Sequence, residues 1–313
     1  MGGSWLNAAP PVTAIEIAAA RVTVVGLAGT GASGRRISSH ATEPLPPGVV
    51  VPGLAAPNLL QPNVVTDALR RALDRAGLGG VRRAALVIPD SAARVSLLSF
   101  EAMPARPAER EELIRWQLRK ATPFPIDDAQ VTHFLASSLG GTSNIAAVVA
   151  RREVVAEYEQ AAASAGIHAG LVDLASFNVM NAAIGAGLAP AEDWLLVHRL
   201  QEATTLAILR GQDLLFYRHR TAVDEEPLGA LVHQTAMYHE DRLGGGTFAR
   251  VIVSGGTADV QAAREEIRSR FDVQVTSLDV RSAAALSDRT DVSEDVLDAI
   301  AAPVGILIRE QAA

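Results

Sequence analysis

The chain has 313 residues, of which 49% are hydrophobic and 20% charged, and its formal net charge is −7. This length and apolar content predict a folded protein larger than one compact domain. The acidic balance and interspersed charges argue against a nucleic-acid surface and against charge-driven binding to an anionic membrane. Because cysteine is absent, a disulfide framework, thiol catalysis and cysteine-ligated zinc are excluded.

The N-terminal segment MGGSWLNAAPP lacks a basic region followed by an apolar run. A transmembrane helix needs about 18 or more consecutive apolar residues, and the sequence contains no uninterrupted run of that length. We therefore expect a cytoplasmic protein.

Residues 13–20 and 21–28 are rich in β-branched side chains and are predicted to form strands. The second strand runs into residues 29–34, GTGASG, which match the G-x-G-x-x-G pattern. A dinucleotide site would require a helix opening at the last glycine and an acidic residue about 20 positions later. The sequence RRISSHATEPLPPG follows instead, so we predict a hairpin turn and an extended segment.

An amphipathic helix is predicted at residues 64–76, with Gly77 as its stop. Period-2 and apolar patterns predict the remaining elements. Strands are predicted at 83–89, 95–100, 130–137, 144–150, 171–172, 194–199, 203–209, 213–217, 251–253 and 273–277. Helices are predicted at 154–165, 176–185, 228–243, 259–271 and 295–309, the last interrupted by Pro303 and Gly305.

The segment 109–128, EREELIRWQLRKATPFPIDD, predicts a helix with an unusually wide apolar face. Its apolar residues cover an arc of about 200° at 100° per residue, which predicts a helix buried on more than one side. They are Leu113, Ile114, Trp116, Leu118 and Ala121.

Proline ends this helix. Pro123 disfavours the α conformation at the preceding residue, and Pro125 fixes a second φ angle. Phe124 is therefore predicted to be held at a set angle in a stiff extended segment. The competing interpretation is a helix stop with one aromatic ring tucked into the core.

The wording IRWQLRKATPFPIDD, preceded by ALVIPDSA, resembles the type IV pilus assembly family PilM, which is actin-like and related to the cell-division family FtsA. The resemblance implies an α/β, actin-like fold of the FtsA/PilM type, with two lobes and a small α+β insert subdomain. It assigns 1–91 and 153–190 to the first lobe, 92–152 to the insert, 191–285 to the second lobe and 286–313 to a closing helix that returns to the first lobe. Strand pairs near 13–28 and 194–217 give a weak internal echo of two related lobes.

The resemblance implies two hairpins, which in this family present backbone amides to the phosphates of a nucleotide. Each hairpin starts with an aspartate that holds Mg²⁺ and contains a glycine that allows close approach. Here Glu16 and Ala18 stand at these positions in the first hairpin, and His198 and Leu200 stand at them in the second. Both phosphate loops are therefore degenerate, and binding of ATP with Mg²⁺ is doubtful.

Three further positions match the family's nucleotide site. Thr204 lies where a hydroxyl residue follows the second hairpin, and the Gly255 and Gly256 turn would lie beside an adenine or ribose. A Gly-Gly turn after a buried strand is also common for structural reasons. Arg199 could bind an anion directly, although an arginine at such an edge more often makes an ordinary ion pair.

Other catalytic patterns are absent from the sequence, which contains no H-E-x-x-H, G-x-S-x-G or Walker motif. The histidines His233 and His239 are six residues apart, so they do not share a helix face, and we interpret them as solvated or core residues. No metal site is predicted.

The resemblance therefore predicts a non-catalytic cytoplasmic scaffold of the type IV pilus inner-membrane platform. Its partner would be the cytoplasmic tail of a bitopic PilN-like protein, which would hold it peripherally at the inner membrane. Pilus motor ATPases and further copies of the chain are additional candidate partners. The alternatives are an actin-fold ATPase or kinase and a type II secretion component like GspL. A divisome role like that of FtsA would call for a C-terminal membrane helix.

In PilM-like proteins the tail lies in a groove between the first lobe and the insert. Trp116, Pro123, Phe124 and Pro125 are the predicted wall of this groove, because a proline-flanked aromatic loses little entropy on binding. The alternative is that Trp116 and Phe124 only hold the insert against the lobe.

Overall fold

A computed structural model describes residues 11–29, 35–139, 141–222, 226–286 and 293–310. Its strands in chain order are β1 (Thr13–Ile17), β2 (Arg21–Ala28), β3 (Arg36–Pro44), β4 (Arg83–Ile88), β5 (Ala93–Phe100), β6 (Ala129–Leu139), β7 (Thr142–Arg151), β8 (His168–Leu174), β9 (Asp193–Arg199), β10 (Ala203–Arg210), β11 (Asp213–Thr221), β12 (Arg250–Gly255), β13 (Val275–Ser277) and β14 (Ala285–Leu286). Its helices are α1 (Pro62–Arg75), α2 (Pro107–Leu118), α3 (Arg152–Ser164), α4 (Ala175–Gly185), α5 (Leu228–Leu243), α6 (Thr257–Arg270) and α7 (Glu294–Glu310).

Three sheets organise these elements. The first lobe has the strand order β14-β3-β2-β1-β4-β8, the second lobe has β11-β10-β9-β12-β13, and the insert has β5-β7-β6. In the first lobe α1 packs with α3 and α4 with α7, and every residue of β1 is buried. Strands β1 and β4 pair in parallel, and so do β4 and β8, which suits a sheet covered by helices.

The two lobes share one topology. In the first lobe an antiparallel meander β1-β2-β3 is followed by the parallel strands β4 and β8. In the second lobe the meander β9-β10-β11 is followed in the same order by the parallel strands β12 and β13. The similar strand pairs predicted near 13–28 and 194–217 therefore belong to a repeated five-strand unit.

Two predicted boundaries need correction at the first hairpin and the closing helix. Strand β1 ends at Ile17, because the main-chain N–H of Ala18 donates to the carbonyl of Arg21 at 2.9 Å and closes a turn over residues 18–20. Helix α7 continues through Pro303 without interruption. A Cβ at Gly305 would lie 1.8 Å from the carbonyl oxygen of Asn178, so glycine here permits close packing of α7 on α4.

The predicted turn at the G-x-G-x-x-G motif lies mostly outside the described residues. Gly29 has a φ of +84°, and residues 30–34 are not described. Strands β2 and β3, on either side of the motif, pair antiparallel. The segment after the motif is thus a strand, in agreement with the predicted extended conformation.

Helix α2 covers one face of the insert sheet. Ile114 and Leu118 are buried against Ile145 and Val149. Trp116, by contrast, is 64% exposed, so the prediction of a helix buried on more than one side is wrong. The helix packs on a single sheet, and one packing surface cannot cover an apolar arc of about 200°.

The segment after α2 returns the chain to the insert sheet. Phe124 is half-buried against the insert core, while Pro123 and Pro125 are exposed. The hydroxyl of Thr122 donates to the carbonyl of Phe124 at 3.0 Å, which fixes the bend between the helix and β6.

Candidate functional site: a closed cleft and an apolar groove

Two hairpin turns occupy equivalent positions in the two lobes. The β1–β2 turn contains Ala18, and the β9–β10 turn contains Leu200, whose main-chain N–H donates to the carbonyl of Ala203 at 2.9 Å. We call the space between these turns and the β4–β5 connection the interlobe cleft. The predicted nucleotide positions Glu16 and His198 lie on β1 and β9, just before the two turns.

Glu16 is buried at the first-lobe side of the cleft, with 5% of its surface exposed. Burial raises the pKa of Glu16, Glu202 and Asp90 raise it further by repulsion, and Arg21 opposes the shift. The Oε2 of Glu16 lies 3.6 Å from Nη2 of Arg21, which is too long for a hydrogen bond. The carboxyl group therefore retains its proton more readily than an exposed glutamate.

His198 is buried on the second-lobe side. Burial lowers the pKa of His198, and the positive charge of Arg21 lowers it further, while Asp90 acts in the opposite direction. Neither ring nitrogen makes a hydrogen bond of normal geometry within the described residues, although the main chain of Ser254 lies on the adjacent strand. A neutral imidazole at this position supplies no negative charge for a metal ion.

The remaining predicted nucleotide positions are engaged in contacts of their own. Thr204 is buried, and its hydroxyl accepts a hydrogen bond from Nη1 of Arg199. Gly255 has a φ of +143°, and a Cβ there would lie 1.7 Å from the carbonyl oxygen of Arg199. Glycine at this position is explained by the contact between β12 and β9. Gly256 is the N-cap of α6 and has an ordinary φ of −67°.

Asp90, which follows β4, binds both lobes at the centre of the cleft. Its Oδ1 accepts hydrogen bonds from the main-chain N–H of Ser176 at 3.1 Å and from the Ser176 hydroxyl at 2.8 Å. Its Oδ2 accepts one from the hydroxyl of Thr205 at 3.0 Å. Ser176 belongs to the first lobe and Thr205 to the second, so one buried carboxylate joins them.

Two more hydrogen bonds connect the lobes. Ser176 Oγ lies 3.0 Å from the hydroxyl of Tyr217, and Ser91 Oγ lies 2.9 Å from Nε2 of His219. Since the hydroxyl of Ser176 already donates to Asp90, the hydroxyl of Tyr217 is the donor to Ser176. We call Asp90, Ser91, Ser176 and their second-lobe partners the interlobe network.

The interlobe network engages both ring nitrogens of His219. Nδ1 of His219 lies 2.9 Å from Oγ1 of Thr205, whose only hydrogen is donated to Asp90. Nδ1 must therefore carry a proton that it donates to Thr205, and Nε2 is paired with the hydroxyl of Ser91. Asp90, Thr205 and His219 were missed by sequence reasoning, although the Asp directly after the buried strand ALVIP was a visible signal.

An apolar groove of about 480 Å³ lies where the first lobe, the insert and the second lobe meet. The insert contributes Phe134, the first lobe contributes Phe177 and Met180, and the β10–β11 hairpin contributes Leu209 and Leu214. We call this cavity the insert groove. Strands β6 and β8, which also line it, are both edge strands of their sheets within the described residues.

The insert groove and the interlobe network share a wall of aromatic rings. Phe134 meets Phe177 edge to face with ring centroids 5.5 Å apart, and Phe177 contacts Tyr217 at 5.6 Å. At the other end of the groove, Asp173 accepts a hydrogen bond from Nη1 of Arg309 at 2.5 Å. The groove is thus mainly apolar with one ion pair at its margin.

The predicted partner-binding residues do not line this groove. Trp116 lies on α2, and Pro123, Phe124 and Pro125 lie in the segment that follows it, whereas the groove is lined by the opposite face of the insert sheet. The two faces are separated by strand alternation, because side chains at successive positions point to opposite sides. These four residues therefore lie outside the insert groove, and their part in binding a partner stays a prediction.

The two helical histidines have different environments. His239 is fully buried, lies 2.7 Å from Asp193 and stacks on Phe248, while His233 is exposed. They are thus a core and a solvated histidine, as interpreted from the sequence. Within the part of the chain that the structure describes, no cluster of three or more potential metal ligands occurs. None of the helices in those ranges is long and apolar enough to cross a membrane.

Comparison with known structures defines the class. A solved "PilM-PilN type IV pilus biogenesis complex" matches with a TM-score of 0.80 and 18% identity, over 97% of this chain and 99% of that chain. Ethanolamine utilization protein EutJ from Carboxydothermus hydrogenoformans matches with a TM-score of 0.50 and 12% identity, over 96% and 90% of the two chains. A Bacteroides thetaiotaomicron protein with an actin-like ATPase fold matches with a TM-score of 0.49 and 9% identity, over 85% and 91%. The chain has the actin-like α/β fold.

The sequence profile of the family described as "Type IV pilus assembly protein PilM" matches residues 14–226. This range covers more than half of the 313 residues, and the chain belongs to that family. No curated protein sequence matches the chain significantly.

Proposed function

We propose that the chain is a non-catalytic scaffold of a type IV pilus assembly platform, and that its insert groove binds the cytoplasmic tail of a PilN-like membrane protein. The observation that carries the proposal is an open apolar groove of about 480 Å³ in a chain of the PilM family. The similar solved structure is a complex of PilM with PilN.

The shape of the groove suits an extended peptide. Its volume falls in the range of about 300–1,000 Å³ that is typical of ligand sites. Edge strands β6 and β8 have backbone groups that an extended tail can pair with, while Phe134, Phe177 and Met180 provide apolar surface for alternate side chains. The Asp173–Arg309 pair at the margin supplies polar contacts that fix the register of the tail.

The proposal of a scaffold without ATPase activity rests on the interlobe cleft. Glu16, with its raised pKa, and a neutral His198 stand where the resemblance places two aspartates, so less negative charge is available to hold a Mg²⁺ ion. Ala18 and Leu200 place side chains where phosphate oxygens would approach the hairpin backbones. Asp90 already accepts hydrogen bonds from Ser176 and Thr205, which hold its carboxylate between the two lobes.

The proposed location is cytoplasmic, peripheral at the inner membrane through the partner. When expressed alone, the protein should fractionate as soluble, and it should sediment with membranes only when the PilN-like protein is present. Sedimentation with membranes in a host without pilus genes would contradict this location.

The test is a calorimetric titration with a synthetic peptide of the cytoplasmic tail of the PilN-like protein from the same genome. Phe134→Ala should weaken binding about 30-fold, because truncating a buried aromatic anchor costs about 2 kcal/mol. Phe134 is 43% exposed in the structure without the peptide, so the fold should tolerate the change.

Phe124→Ala is the matched control, since it removes the same ring from the other face of the insert. It should leave peptide affinity within about twofold, although it lowers the melting temperature by a few degrees. If Phe124→Ala abolishes binding while Phe134→Ala does not, the tail docks outside the groove and the assignment of the site is wrong.

A further inference from the structure

Trp116 is the most exposed large hydrophobic side chain among the described residues, at 64%. It projects from the last turn of α2, on the side away from the insert core formed with Ile114 and Leu118. Arg119, the C-cap of α2, and Lys120, in the turn after it, follow Trp116 by three and four residues. Both are exposed, and neither makes an ion pair within the described residues. We call Trp116 with these two cations the α2 knob.

A second open cavity, of about 450 Å³, lies between α5 and α6 in the second lobe. Its floor is apolar and is formed by Val232, Ala236, Phe248, Ile267 and Phe271. We call it the α5–α6 cavity. It shares no lining residue with the insert groove, so the tail peptide proposed above does not account for it.

The rim of the α5–α6 cavity matches the α2 knob in charge. The Asp and Glu residues that line it are Glu240 and Asp272, both exposed, and Lys and Arg are absent from the described lining. Met237, also at the cavity, is 43% exposed and has the flexible side chain that adapts to an aromatic partner. An apolar floor with an acidic rim therefore faces solvent in one lobe, and an aromatic ring with basic neighbours faces solvent in the insert.

We propose that the occupant of the α5–α6 cavity is the α2 knob of a second copy of this chain. Trp116 would enter the apolar floor, and Arg119 and Lys120 would meet Glu240 and Asp272 at the rim. A buried tryptophan flanked by complementary charges has the composition of an interface hot spot. The knob and the cavity are different patches of one surface, so the contact is heterologous, and a pair of bound copies retains one free knob and one free cavity.

Because the contact is heterologous, it predicts assembly beyond a dimer, which a closed symmetric contact does not produce. Wild-type protein at increasing concentration should form species larger than a dimer in sedimentation velocity. Trp116→Ala alone should weaken association about 30-fold, and Glu240→Arg with Asp272→Arg should do the same by placing like charges together. Gln117→Ala, the exposed neighbour on α2, is the control that should associate as the wild type does.

An equimolar mixture of the two variants is decisive. The Trp116→Ala protein keeps an intact cavity, and the Glu240→Arg/Asp272→Arg protein keeps an intact knob, so the mixture should form dimers that extend no further. All substituted side chains are exposed, and circular dichroism melts should match the wild type.

A mixture that remains monomeric, or a Trp116→Ala protein that associates like the wild type, overturns the proposal. Wild-type protein that stays monomeric at about 100 μM does so as well. If wild type binds vesicles of anionic phospholipid and Trp116→Ala does not, while both remain monomeric, Trp116 belongs to a membrane contact and the proposal is wrong.

Discussion

The interlobe cleft and the insert groove share a wall at Phe177 and Tyr217 but are filled differently. In the cleft, side chains of the two lobes bind one another, with Asp90 accepting three hydrogen bonds. In the groove, apolar side chains surround an open volume of about 480 Å³. The cleft is thus bridged by polar side chains of the protein itself, whereas the groove leaves apolar surface open, and this difference supports the proposal that the tail binds in the groove.

The largest expected effect on stability is at Gly255, in the turn that was predicted to lie beside an adenine or ribose. Gly255→Ala should destabilise the protein by about 4 kcal/mol, combining the cost of a positive φ with a Cβ forced against the backbone of Arg199. Urea unfolding monitored by circular dichroism measures this loss in the free energy of unfolding. A change below about 1 kcal/mol would show that β12 can move away from β9, and that space for a ligand exists there.

Asp90→Ala should have the next largest effect, because it removes the acceptor of three buried hydrogen bonds. Leaving the donors of Ser176 and Thr205 unsatisfied should lower the free energy of unfolding by about 3 kcal/mol. Tyr217→Phe is the graded control, since it removes one hydroxyl and keeps the ring against Phe177. It should cost about 1 kcal/mol, and equal losses for the two variants would mean that Asp90 does not join the lobes.

The fold was predictable from the sequence to a larger extent than the site. Strand positions followed from runs of β-branched residues, and the family resemblance supplied the actin-like architecture. The α2 prediction failed at Trp116, because periodicity gives the width of an apolar arc but not which part of it another element covers. Asp90, Thr205, His219 and Tyr217 come together only through the packing of the two lobes, and spacing along the chain carries no signal for that.

The same limit applies to the insert groove. Phe134 and Phe177 are separated by 43 positions, counted from their numbers, and meet because β6 and α4 lie on two sides of one cavity. The Pro-Phe-Pro segment was the more conspicuous sequence feature, yet it lies on the other face of the insert sheet. The segment therefore belongs to the insert but lies outside the insert groove.

A smaller expected effect, on the pH dependence of stability, tests whether His198 is buried in the folded protein. Burial lowers the pKa of His198 in the folded state below 6.5, so below pH 6.5 the unfolded chain binds a proton that the folded chain does not. As the pH is lowered below 6.5, the free energy of unfolding should decrease by up to about 1.4 kcal/mol per pH unit. The substitution His198→Leu should remove this contribution to the pH dependence. Equal slopes in denaturation series between pH 7 and pH 5.5 would show that His198 is solvated when folded.

We propose that this chain binds the tail of its partner in the insert groove and does not bind a nucleotide in the interlobe cleft. Calorimetric titration of one protein sample with the tail peptide and, separately, with Mg-ATP tests it directly. We predict micromolar affinity for the peptide and a dissociation constant above about 1 mM for Mg-ATP, because the metal and several phosphate contacts are missing together. Combining Glu16→Asp, Ala18→Gly, His198→Asp and Leu200→Gly should strengthen Mg-ATP binding and leave peptide affinity unchanged. Micromolar binding of Mg-ATP to the wild type, with no heat from the peptide, would contradict the account.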